Sequence, residues 1–343
     1  MIGRPNLENV SSEIIAYIEH LESELEQAQA GKPTRPTAQF DVSEAPTNQT
    51  VITLTSKGIA KRTYRHLYQR QRRGGMGVFD IDTPESDPPK LMVQAEENQH
   101  LIVLTTLARA FRLPVSSIPL STDLHEKGHD IFSELPFEAG EQWSTVIVEG
   151  ASLYMTVVSE KGWVRSFPRH IFGENAKPGT VLYHVREHGK PTGACYHSSD
   201  DHLLIATQNG LGIRFSARHI PNFGCQGIRL ASTDATVSIC PANLKESVFL
   251  LADDGKGTIR EMAGFAENKA AGAGGKQLLK AEKLVSALRV TEKDDLFVLS
   301  KLSKIVRFSA DEVPPKEGVV QGVNCMALRA DTCVAVLACT VKE

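Results

Sequence analysis

Seven consecutive residues, Gln71-Arg72-Arg73-Gly74-Gly75-Met76-Gly77, join two adjacent guanidiniums to a run of glycines. Paired arginines offer forked donors that match phosphate oxygens, and glycines let the backbone beneath them turn tightly. The chemistry such a surface loop offers is anion binding. The chain before it points the same way, because Val51 to Phe79 carries Lys57, Lys61, Arg62, Arg65, Arg70, Arg72 and Arg73 with no Asp or Glu. Seven uncompensated cations in so short a stretch predict a polyanionic partner.

A loop of this kind must be held by a scaffold, and the sequence shows one as a repeat. A strand rich in β-branched residues or Leu, a tight turn and a second strand carrying Arg recur as Val51–Arg62, Leu101–Arg112, Leu153–Arg165, Leu203–Arg214, Val248–Arg260 and Leu296–Arg307. The starts lie 45 to 52 residues apart, the period of a propeller-type array in which each unit is one small antiparallel sheet. From the turn residues Gly58, Ala108, Gly210 and Ser303, an arginine follows four positions later at Arg62, Arg112, Arg214 and Arg307. Gly162 to Arg165 is one residue shorter, and Gly255 to Arg260 one longer. Strand alternation places equivalent positions on one side of each hairpin, which predicts a shared basic rim.

The second half of the unit repeats too. Gly224-Cys225-Gln226-Gly227-Ile228 and Gly318-Val319-Val320-Gln321-Gly322-Val323 echo Gly74-Gly75-Met76-Gly77-Val78, and Gly272 to Lys276 is a softened copy. The heptapeptide is thus the sharpest of a degenerate series of inter-strand connections.

The remaining features bound the answer. The chain has 343 residues, is 41% hydrophobic and 23% charged, and has a formal net charge of −3. Residues 1–50 hold −5 of that, leaving +2 for residues 51–343, so affinity for a polyanion has to come from charge gathered on one rim. No stretch reaches the length of a membrane-spanning helix, and Met1 to Val10 lacks the regions of a secretory signal, which predicts a cytoplasmic protein. The cysteines Cys195, Cys225, Cys240, Cys325, Cys333 and Cys339 form no zinc knuckle and are expected to be reduced core residues; no metal or cofactor is expected. Residues 1–30 predict a short amphipathic α-helix, with Leu7, Ile14, Leu21 and Ala28 seven apart and Ile18 and Leu25 between them. Residues 7–28 could pair as a homodimer or dock on another domain. Residues 31–49, with Pro33, Pro36 and Pro46, predict a flexible linker. The array occupies 50–343.

Gln-Arg-Arg-Gly-Gly-x-Gly resembles the signature box of the DNA gyrase A C-terminal domain, which continues with Lys or Arg where this chain has Met76. Thr55 to Thr63 resembles the strand-turn-strand that leads into the box, Leu203 to Phe215 the fourth-blade strand pair, and Ser303 to Phe308 with Gln321-Gly322-Val323 the sixth. The resemblance covers roughly residues 50 to 343. It implies an all-β fold, a six-bladed β-pinwheel preceded by the short N-terminal α-helix, as in gyrase and unlike the shorter topoisomerase IV version. It also implies a nucleoid-associated module that binds and bends duplex DNA around a basic perimeter, without sequence preference and without cleaving it. The family's catalytic tyrosine lies on a domain N-terminal to the array, so the chain is expected to be a non-enzymatic, free-standing copy of the wrapping module or a fragment of a split subunit. Partners would be DNA and gyrase or topoisomerase IV subunits. The expected DNA contacts are Arg72 and Arg73 with Gln71, Gly74, Gly75 and Gly77, then Lys61, Arg62, Arg65 and Arg70, and further round Arg112, Arg165, Arg214 and Lys304. The rival readings are a kelch- or WD-type protein-binding propeller, for which Trp-Asp pairs are lacking, and a metal-dependent propeller lactonase, for which His170, His197, His202 and His219 form no ligand set.

Overall fold

The computed structural model describes residues 44–340. The helix expected over residues 1–30, with its pairing surface at 7–28, and the linker up to residue 43 lie outside the described residues. Six hairpins correspond to the six repeats: Thr50–Thr55 with Ile59–Tyr64, His100–Thr105 with Arg109–Pro114, Tyr154–Ser159 with Trp163–Pro168, His202–Thr207 with Leu211–Ser216, Ser247–Ala252 with Lys256–Glu261, and Asp294–Ser300 with Lys304–Ser309. We call these blades 1 to 6.

Local chemistry closes each hairpin. In five of the six the first strand ends in a hydroxyl residue whose oxygen accepts the N–H four residues on, as Thr55 does from Ile59, Thr207 from Leu211 and Ser300 from Lys304; in blade 5, whose strand ends in Ala252, Asp254 Oδ1 accepts the Lys256 N–H instead. The turn then needs one residue with positive φ, supplied by Gly58, Gly162, Gly210 and Gly255 and, at some steric cost, by Ala108 (φ 53°) and Ser303 (φ 63°).

A third strand lines the inside of each blade, and these six strands, Pro89–Ala95, Trp143–Val148, Pro191–His197, Thr236–Pro241, Leu284–Val290 and Cys333–Thr340, touch in turn around the centre. The outermost strand of each blade is borrowed. After its hairpin the chain makes a single 3-10 turn, crosses to the outer edge of the preceding blade, and returns as the inner strand of its own. His129–Asp130 thereby edges blade 1, Thr180–Val181 blade 2, Cys225–Gln226 blade 3, Lys276–Gln277 blade 4, and Pro315–Lys316 with Val323–Asn324 blade 5. The crossing that leaves blade 1 has no preceding blade except the last, and Val78–Phe79 pairs with Lys304–Ile305 of blade 6.

The core follows from this exchange. Successive residues of a strand face opposite seams, so Ile52 and Leu54 pack against blade 2 while Val51 packs against blade 6. Six hydrophobic clusters result, one in each seam. The cluster of Val51, Tyr68 and Met92 with Phe297, Leu299, Ile305 and Cys339 closes the ring. This is the six-bladed pinwheel expected, with strands almost throughout and one four-residue helix, Val185–His188, among the described residues. Five of the six cysteines are buried, and burial pushes the thiols of Cys240 and Cys325 up to about 12. Among the described residues no helix is long and apolar enough to cross a membrane.

Candidate nucleic-acid interface

The heptapeptide lies across the closing seam and is fastened at nearly every residue. Gln71 N donates to the carbonyl of Arg307 at 2.7 Å, Gly74 N to that of Cys325 at 2.8 Å, and Gly75 O accepts from Ala327 N at 2.9 Å. Gly74 and Gly77 have φ near 75°, and a Cβ on Gly77 would stand 2.7 Å from the carbonyl oxygen of Ile305. The glycines therefore serve close backbone approach to blade 6 and to the crossing between blades 6 and 5.

The two arginines divide the labour. Arg73 donates from its backbone N to Glu312 Oε2 (3.0 Å), from Nε to the Glu312 carbonyl (2.9 Å) and from Nη1 to the Asn324 carbonyl (3.2 Å), so it staples the loop to its neighbours. Arg72 is exposed, and its guanidinium makes no hydrogen bond or ion pair among the described residues. Met76 is 47% exposed beside it.

Several expected contacts are corrected by burial. Lys61 is 1% exposed and donates to Asp80 Oδ1 at 2.7 Å; Asp80 also accepts from Tyr68 Oη at 2.6 Å and from Thr53 Oγ1. This buried carboxylate, one residue beyond the acid-free stretch, ties the crossing chain to blade 1. Arg65 and Arg307, each buried, grip Glu44 from blades 1 and 6; Arg307 Nη2 stands 2.7 Å from Glu44 Oε2 and its Nε 2.6 Å from Asp295 Oδ2. Arg70 Nη2 lies 2.8 Å from the other oxygen of Asp295. Burial pushes the Glu44 carboxyl up, but the hydrogen bonds and charges of Arg65 and Arg307 outweigh it and hold the group below its ordinary range. Residues 44–49, read as the end of the linker, are thus fixed to the disc; the Arg65 N–H also donates to the Gln49 carbonyl at 2.9 Å.

The repeating arginines are not a basic rim. Arg62, Arg214, Arg260 and Arg307 are buried in the seams and donate to backbone carbonyls there: Arg62 to Val115, Arg214 to Ala242, Arg260 to Leu278, Arg307 to Tyr68. Spacing decides the seam. Arg62, Arg112, Arg214 and Arg307, four residues past the turn, stand opposite Ile52, Ile102, Leu204 and Phe297 and face the following blade. Arg165 and Arg260, displaced by one residue, face the preceding blade and reach the carbonyls of Leu182 and Leu278. Arg112 and Arg165 are half-buried, Arg112 donating to Glu149 Oε2 at 3.0 Å. Lys304, also half-buried, sits over the Phe79 ring at 5.3 Å.

Other cations stand exposed on the crossing segments that edge the blades: Lys127 at blade 1, Arg72 at blade 6, Lys177 at blade 2, Arg229 at blade 3, Lys276 and Lys280 at blade 4, Lys316 and Arg329 at blade 5. Sequence reasoning missed all of these but Arg72. The signal was available, since Arg229 and Arg329 follow the degenerate copies of the heptapeptide.

Fold and sequence define a class first: a closed six-bladed β-pinwheel with exchanged outer strands. The family model "DNA gyrase C-terminal domain, beta-propeller" matches residues 49–87, 99–122, 201–239 and 294–316. The DNA gyrase A protein of Mycobacterium bovis is 28% identical over 303 residues, 83% of this chain and 36% of the relative; that of Lawsonia intracellularis is 26% identical over 298 residues, 82% and 36%. The chain spans about a third of the length of the curated relatives it matches. A solved DNA gyrase A C-terminal domain superimposes with a TM-score of 0.74 at 21% identity, covering 84% of this chain and 98% of that one. A topoisomerase IV C-terminal domain does so at 0.58 and 17%, covering 87% and 94%. The chain is thus similar to DNA gyrase A C-terminal domains in sequence over blades 1, 2, 4 and 6 and shares their fold.

Proposed function

We propose that this pinwheel binds duplex DNA on its outer edge and bends it, without reading its sequence and without cleaving it. The observation that carries the reading is the unpaired, exposed Arg72 guanidinium held on a loop whose neighbours are all fixed to the disc. Exposed cations on the edges of blades 2 to 5 extend a phosphate-binding surface round the perimeter. Such contacts release counterions and carry no base information, so affinity falls with salt and varies little with sequence. Bending ~20–30 bp by ~40–90° costs on the order of 1–6 kcal/mol, within reach of several phosphate contacts. Arg72 is the principal phosphate ligand, Arg73 the residue that positions it. A gyrase or topoisomerase IV protein is the partner this reading favours, in the nucleoid of the cytoplasm.

Electrophoretic mobility shift of a duplex of ~40 bp across a salt series tests this. The expected result is binding that weakens steeply and linearly in log salt, with Arg72→Ala lowering the slope by about 0.9. Binding insensitive to salt, or none at low salt, contradicts it.

A further inference from the structure

The edge of the disc is not uniform in charge. The segment that edges blade 1, residues 115–142, carries six carboxylates, Asp123, Glu126, Asp130, Glu134, Glu138 and Glu141, against the single cation Lys127. Asp123, Asp130, Glu134 and Glu138 are exposed, whereas Glu141 is buried and paired with Arg109 at 2.6 Å. The segment crosses the blade edge by pairing His129–Asp130 with Ile59–Ala60. It also abuts the chain that leaves the heptapeptide: Ile81–Asp82 pairs with Glu126–Lys127, and the Phe79 and His125 rings lie 5.7 Å apart. Every other blade edge presents at least one exposed cation, Lys177, Arg229, Lys276, Lys316 or Arg72, outside so acidic a run.

We infer that the DNA path is an open arc, running over the edges of blades 2, 3, 4, 5 and 6, ending at Arg72 and stopped by the acidic edge of blade 1. This rests on the DNA-binding reading above and adds where the duplex leaves the protein. With Glu138 held by Arg109 at 3.5 Å, a phosphate backbone passing the exposed carboxylates of Asp123, Asp130 and Glu134 would meet repulsion within one screening length, about 8–10 Å at physiological salt, against Lys127 as the one cation of the segment. Because the acidic edge adjoins the heptapeptide in the ring, Arg72 marks one end of the arc and not its middle. The disc then cannot carry a full turn of duplex in contact.

Asp123 and Glu134 are suited to the test, since their side chains are exposed and make no hydrogen bond among the described residues. The variant D123K/E134K is compared with the unaltered chain and with E97K/E292K, which places the same charge change in turns that join an inner strand to the next hairpin. Hydroxyl-radical footprinting on a ~60 bp duplex and the salt slope of binding are read. The arc predicts a footprint lengthened at one end only and a salt slope steeper by about 1 to 2 in D123K/E134K, with the footprint of E97K/E292K unchanged. Equal footprints in D123K/E134K and the unaltered chain overturn the arc while leaving DNA binding intact. Lengthening by both variants also overturns it, because charge alone then accounts for the change. Absence of binding by the unaltered chain overturns the binding reading and the arc with it.

Discussion

At the level of single residues, exposure separates two arginines that are neighbours in sequence and alike in type. Arg72 is available to a ligand and Arg73 is spent on Glu312 and Asn324. Met76 occupies the position where the family's box has a cation, and its exposed side chain leaves room for one. Met76→Lys is expected to raise duplex affinity and steepen the salt slope by about 0.9, measured by mobility shift, with thermal stability unchanged. Glu44 gives a pH prediction. Its folded carboxyl is held below the ordinary value, so its stabilisation is fully present above the unfolded pKa of about 4.3 and is lost as pH falls through the lower folded one. Glu44→Gln should therefore lower Tm by a few degrees at neutral pH and flatten the acid limb of the Tm profile below about pH 4, followed by circular dichroism. The box was legible in the sequence because its composition is rare. The fates of Lys61, Arg62, Arg65 and Arg214 were not, because in a pinwheel both faces of a hairpin are covered by neighbouring blades, and a charged strand position does not imply solvent.

Among the elements, the hairpins were fully legible from β-branched strands, turn residues and a period near 50. The exchange of outer strands was not, since the two-residue strands Val78–Phe79 and Cys225–Gln226 carry no periodicity and their partners lie in another unit. Glycine at the crossing is a requirement of geometry. Gly77→Ala would put a methyl 2.7 Å from the Ile305 carbonyl at φ 78° and should cost about 1–3 kcal/mol, seen as a lower urea midpoint, and should weaken DNA binding by displacing Arg72. Arg214 makes the opposite case. It is buried, burial lowers its pKa, its Nε has no partner and its one carbonyl contact is 3.4 Å long. Arg214→Met should leave stability within about 1.5 kcal/mol and DNA affinity unchanged, by denaturant unfolding and mobility shift, because an apolar side chain of similar length fills a seam without a desolvated charge.

For the molecule as a whole, the ring is closed by the same segment that presents the candidate ligand-binding arginine. Asp80 binds Lys61, Tyr68 and Thr53 of blade 1 while its N–H donates to Ser303 of blade 6, and Arg307 reaches back to Arg65, Tyr68 and Glu44. Ring closure and the proposed phosphate contact therefore share one segment of chain, from Arg65 to Asp80. The array's formal charge of +2 counts Lys61, Arg62, Arg65, Arg214, Arg260 and Arg307, which are buried, so the basic character of the perimeter rests on the exposed cations of the crossing segments and not on the total.

If the disc bends DNA, plasmid topology reports it most directly. Relaxed circular plasmid is incubated with increasing protein, closed by a nicking-closing topoisomerase, freed of protein and resolved on a chloroquine gel. The expected result is a shift in linking number that grows with protein, saturates, and is reduced by Arg72→Ala but not by Arg214→Met. A topoisomer distribution unmoved at saturating protein, with binding confirmed on the same plasmid, would contradict it.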